Sequence, residues 1–153
     1  MTNSTATQAF LQQFYHAITE LLNGNSKPFA SLWATEGRVC LMISSGERVV
    51  GHQEVVEYLR EMAAALGSNP FRTKVTPSEP SWTEVGDLGY GDLIEQVSTE
   101  GSAEVNLLNR ATIICRRVDA HWKVIHYHND FINPMMLAFS HMVRHQATRA
   151  GKG

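Results

Sequence analysis

Cysteine is scarce in this sequence. Cys40 and Cys115 are its only two, and both sit in apolar, strand-like segments. Buried, reduced thiols are expected there, not a disulfide framework or a thiolate metal site. Charge is scarce too. Only 18% of residues are charged and the net charge is −2, which removes the electrostatic basis for binding nucleic acid or an acidic membrane surface. No apolar run approaches the length of a membrane span, so no membrane partner is expected. The opening MTNSTATQ has no basic stretch leading into an apolar one. No secretion signal is read there, and a cytoplasmic location is expected. Gly-x-Ser-x-Gly, the phosphate loop and the dinucleotide fingerprint are all missing, which argues against the nucleophile and nucleotide chemistries they carry. Cys115 precedes Arg116 and Arg117, yet its apolar neighbours mark it as sheet core and not as a nucleophile.

What is present is a chain of 153 residues, 43% of them hydrophobic, without repeats, low-complexity tracts or linkers. That suits one domain over 1–153 with a sizeable core. Its most informative stretch runs from Asn109 to Asp130, NRATIICRRVDAHWKVIHYHND. It reads as two β-strands joined by a tight turn around Val118 to His121. Alternation puts Trp122, Val124, His126, His128 and Asp130 on one face of the second strand, and Lys123, Ile125, Tyr127, Asn129 and Phe131 on the other. Three titratable groups in a row are costly to bury, which marks the first face as the functional candidate. A three-residue loop, Asp119 to His121, would set Val118 opposite Trp122, Ile114 opposite His126, Thr112 opposite His128 and Arg110 opposite Asp130. A two-residue loop would shift that pairing by one and scatter the group.

The remaining elements follow in order. Helical spacing of Phe10, Phe14, Ile18 and Leu21 predicts a helix from about Thr7 to Leu22, with Asn3, Ser4, Thr5 and Thr7 as candidate caps. Pro28 opens a short helix through Trp33. Arg38 to Ile43 and Arg48 to Val50 read as strands around a Ser-Ser-Gly-Glu turn. Val55, Leu59, Met62 and Leu66 give a third helix, from His52 to Leu66. Phe71 to Thr76, Ser81 to Val85 and Tyr90 to Ser98 read as strands, the first at an edge or bent because Pro77 and Pro80 interrupt it. Asn133 and Pro134 open a fourth helix with a Met-rich apolar face, read first as a packing or dimer contact. Helices first and sheet afterwards is α+β, with a core over about 8–130 and a helical extension over about 133–149.

This order, with a hairpin ending Val49-Val50-Gly51, resembles the nuclear transport factor 2-like superfamily. Arg110-Ala111-Thr112, Arg116-Arg117 and Trp122-Lys123-Val124-Ile125-His126-Tyr127-His128 look like its SnoaL-like branch. They are also similar to the association domain of calcium/calmodulin-dependent protein kinase II, whose last strand carries a similar Trp and His-Tyr-His run. The resemblance implies a cone: a strongly curved, mainly antiparallel sheet wrapped around the long helix, enclosing a cavity. It further implies a small apolar organic ligand, a homodimer joined through the sheet, and, in enzymatic members, isomerase, cyclase, dehydratase or hydrolase activity. The segment matching the general-base strand of ketosteroid isomerases, Arg38 to Ile43, holds no carboxylate, which argues against that mechanism. Asp130 is the nearest match to the acid/base aspartate of SnoaL-type polyketide cyclases. Fold does not fix function.

On this reading His128 is the proton-transfer group, Asp130 its partner and Arg110 an anion anchor. Tyr15, Trp33, Trp122 and His126 line the ligand pocket. Two histidines spaced His-x-His with Asp130 could also be read as metal ligands. The expectation is no metal and no cofactor. The alternative function is a non-catalytic ligand-binding or assembly domain, in which an Arg110–Asp130 ion pair only pins the register.

Overall fold

The computed structural model describes residues 5–150. Asn3 and Ser4, two of the candidate caps, lie outside them, as do the side chains of Val143 and of residues 145–150. The elements run α1 (Thr5–Leu22), α2 (Lys27–Ser31), β1 (Cys40–Met42), β2 (Arg48–Val50), α3 (His52–Leu66), β3 (Thr73–Val85), β4 (Leu88–Thr99), β5 (Val105–Val118), β6 (His121–Phe131) and α4 (Pro134–Ala150). The strands form one curved six-stranded sheet in the order β2-β1-β6-β5-β4-β3. Only β1 and β6 pair in parallel. No helix among the described residues is long and apolar enough to cross a membrane.

Helices α1, α2 and α3 pack on the concave face of the sheet. Phe14 is the hub of that core. Its ring meets Phe29, Tyr15 and Tyr127 edge-on at 5.2–5.3 Å, the geometry the ring quadrupole favours. Trp82, Trp122 and Phe10 close one end of the cone, with centroids 5.7 and 5.9 Å apart. Gly89 and Gly91 make room for the Trp82 indole, since a Cβ on either would stand within 3 Å of its ring. The expected break at Pro77 and Pro80 is a bulge inside one long edge strand, between Ser78 and Ser81, with Glu79 at φ 52°. Edge position tolerates the missing amide hydrogens.

The β5–β6 hairpin contains the structural fact that governs the site. Its loop has two residues, Asp119 and Ala120, with φ of 48° and 65°, as a type I′ turn requires. Val118 therefore pairs with His121, not Trp122. That one-residue offset is undone by a bulge: Cys115 pairs with Val124 while Ile114 pairs with His126, leaving Ile125 as the extra residue. Beyond the bulge the pairs are Thr112 with His128 and Arg110 with Asp130, as the three-residue loop predicted. The pairing is as expected, but the face is not. Trp122 and Val124 point inward, and after Ile125 the inward residues are Tyr127, Asn129 and Phe131. Strict alternation would have buried His126 and His128 and exposed Tyr127. The bulge reverses this and spares two imidazoles their desolvation.

Candidate active site

The concave side of the sheet and the helices enclose a cavity of about 450 Å³. Its walls are mostly aliphatic, with Ile18 and Leu21 from α1, Leu59 and Met62 from α3, and Val75, Val97 and Leu107 from the sheet. Phe29 and Phe131 add aromatic surface, and Ser44, Ser45 and Asn69 add polar groups.

Among the described residues one ionisable carboxyl lines this apolar space. Glu95, on β4, is 1% exposed. Its Oε1 accepts the Tyr127 hydroxyl at 2.7 Å and the Tyr15 hydroxyl at 3.2 Å. Its Oε2 accepts Asn129 Nδ2 at 3.3 Å, so it is the more loosely held oxygen. Asn129 Nδ2 also donates to the Tyr127 hydroxyl at 2.9 Å. Burial raises the Glu95 pKa, and the donors from Tyr127, Asn129, Tyr15 and Asn109 oppose that rise without cancelling it. Burial and the neighbouring Glu95 push both tyrosine hydroxyls well above their usual range, so they remain neutral donors. Asn109, beside Glu95 on the inward row of β5, is 6% exposed. Its Oδ1 has no hydrogen-bond partner among the described residues. A carboxyl with a raised pKa in an apolar cavity can take and return a proton, and its ring of donors steadies the ionised form.

The expected site residues fall elsewhere. Arg110, His126, His128 and Asp130 lie on the outer, convex side of the sheet and do not line the cavity. This corrects the expectation that they look inward. The Ile125 bulge turns His126, His128 and Asp130 outward, and the two-residue loop sets Arg110 on that same outer side. Arg110 and Asp130 form a bidentate pair on that outer side, at 2.6 and 3.1 Å. The His126 and His128 rings stand 6.3 Å apart. Partial burial lowers the His126 pKa, and neighbouring His128 lowers it further. No group of three metal-ligating side chains converges among the described residues. Trp33 and Trp122 are buried in the core, Trp33 against Phe29 and Trp122 against Trp82, and neither lines the cavity. Tyr15 does reach the site, through its hydroxyl on Glu95.

Glu95 lies on β4, outside the His-Tyr-His strand that draws attention in the sequence. A signal for it exists in the sequence: Leu93, Glu95 and Val97 share the parity of one strand face, and a lone carboxylate between apolar i±2 neighbours marks a buried acid.

Residues 8–134 match the model of the SnoaL-like domain. No curated protein matches the sequence significantly. Among solved structures the chain is similar to a candidate dehydratase of the nuclear transport factor 2-like family from Streptomyces avermitilis, at 20% identity over 84% of this chain and 94% of that one, with a TM-score of 0.67. It is also similar to a candidate calcium/calmodulin-dependent protein kinase type II association domain from Thiobacillus denitrificans, at 18% identity over 87% and 100%, with a TM-score of 0.67. A candidate aromatic ring hydroxylase from Novosphingobium aromaticivorans is a third, at 18% identity over 84% and 88%, with a TM-score of 0.64. At these identities the likeness is one of fold. The chain belongs to the SnoaL-like domain family, with the nuclear transport factor 2-like fold.

Proposed function

We propose that the protein is a cofactor-independent enzyme that moves a proton on a small, largely apolar, carbonyl-bearing molecule held in the cavity, with Glu95 as the acid/base group. Isomerisation, cyclisation and dehydration all need such a step. The observation that carries the reading is a buried carboxyl of raised pKa among aliphatic walls, held by two neutral phenols and an amide. Desolvation is the usual means by which a glutamate becomes a proton carrier near neutral pH. Tyr15 and Tyr127 position the carboxyl through Oε1, and the looser Oε2 is the one to face the reacting carbon.

Proton transfer is testable before the substrate is known. Apolar ketones incubated with the protein in heavy water should gain deuterium next to the carbonyl, read by mass spectrometry. Glu95→Gln should slow that exchange by about 10²-fold or more, while His128→Ala should leave it unchanged. Exchange that survives Glu95→Gln and fails in His128→Ala would return the chemistry to the outer face.

The partner reading is a homodimer through the convex face of the sheet. Tyr90 and Thr112 are exposed there, and Ile94, Ile114, His126 and His128 are only half-buried. Apolar and aromatic residues across the middle of a sheet face suit an interface core.

A further inference from the structure

Among the described residues that line the cavity there is no lysine, arginine or histidine. Arg110, the neighbour of Asn109 in the chain, is paired with Asp130 on the opposite face of the sheet. A carboxylate or phosphate entering this space would shed its hydration, gain no counter-charge and meet a buried acid. An ammonium gains little either. The Glu95 carboxyl already accepts Tyr15, Tyr127 and Asn129, so its hydrogen-bonding capacity is largely used.

A second observation adds a requirement. Asn109 lines the cavity at 6% exposure, and its Oδ1 is unpartnered among the described residues. Its amide nitrogen is the end that favours the Glu95 carboxylate. With Glu95 ionised, reversing the amide would set two oxygens against each other, which leaves Oδ1 as the free acceptor. A buried acceptor without a donor is unfavourable, and a ligand that brings a donor removes that penalty. A hydroxyl supplies one. An ether, an alkane or a carboxylate does not.

We propose that the cavity takes an uncharged, mostly apolar molecule bearing a hydroxyl group, that it rejects carboxylates, and that Asn109 reads the hydroxyl. This rests on the cavity assigned above as the active site, but not on Glu95 moving a proton. Three probes with one bicyclic body test it at neutral pH: 2-naphthol, 2-methoxynaphthalene and 2-naphthoate, titrated by calorimetry against the whole chain. The expected order has 2-naphthol tightest, 2-methoxynaphthalene about tenfold weaker for want of a donor, and 2-naphthoate weaker by about tenfold or more. Asn109→Leu, shown to be folded by circular dichroism, should bring 2-naphthol and 2-methoxynaphthalene to equal affinity. Equal affinity of those two in the wild type overturns the proposal. So does 2-naphthoate binding as tightly as 2-naphthol, binding by none of the three, or a hydroxyl preference that persists in Asn109→Leu. If Asn109→Leu does not fold, the wild-type series decides alone. Because no turnover is read, this series can fail while the deuterium exchange succeeds, and the reverse.

Discussion

Glu95 owes its chemistry to where it stands, and its titration carries a stability signature. Burial makes the folded pKa higher than the unfolded one, ordinarily about 4.5. Between those two values the folded chain holds the proton more tightly than the unfolded chain. This stabilisation is complete below the unfolded pKa and is lost as pH rises through the folded pKa. Glu95→Gln removes that dependence. Urea unfolding across a pH series should therefore show the variant gaining stability relative to wild type as pH rises from about 4.5 toward neutral. A wild-type curve parallel to the variant over that window would mean that Glu95 titrates normally. Only part of this was legible in the sequence. Tyr15 could be placed on the buried side of α1 from its helical stripe, but that it reaches Glu95, 80 positions away, depends on pairing between elements. The unpartnered oxygen of Asn109 is likewise a product of packing, and no local pattern announces it.

At the scale of elements, the β5–β6 hairpin shows how a correct register can accompany the wrong face. The residue pattern allowed a three-residue loop or a two-residue loop. The chain uses the short loop and then a bulge, and two offsets of one residue cancel in the pairing. They do not cancel in side-chain direction, because each extra residue turns the following side chains over. Hydrophobic patterning held the answer in energetic form: Tyr127 is the apolar member of His126-Tyr127-His128, and it is the one buried, at 3% exposure. The α-helices were easier to read, because α1 and α3 carry an uninterrupted apolar stripe. The turn makes its own prediction. Ala120 stands at φ 65°, a conformation that strains an L-residue with a Cβ. Ala120→Gly should raise stability by about 0.5–1 kcal/mol, net of the extra freedom glycine gives the unfolded chain. Chemical denaturation would check it, and a loss of stability would mean that the turn is not of this type.

At the scale of the whole molecule, the two faces of one sheet divide the work. The concave face holds the carboxyl and the cavity, while the convex face presents histidines, an ion pair and apolar side chains to the outside. The order of helices and strands made the cone legible from the sequence. Which face met the cavity was not, because one bulge decides it. If the convex face joins two copies, sedimentation velocity should show a dimer that Ile114→Lys converts to monomer; a dimer unaffected by that change would place the contact elsewhere, with the exposed Met135, Met136 and Phe139 of α4 as the alternative surface. The division of faces itself is tested most directly by carbon and nitrogen NMR of the labelled protein with and without 2-naphthol. The Glu95 carboxyl and Tyr127 ring resonances should move on binding while the imidazoles of His126 and His128 stay in place. Shifted imidazoles with an unmoved Glu95 carboxyl would contradict it.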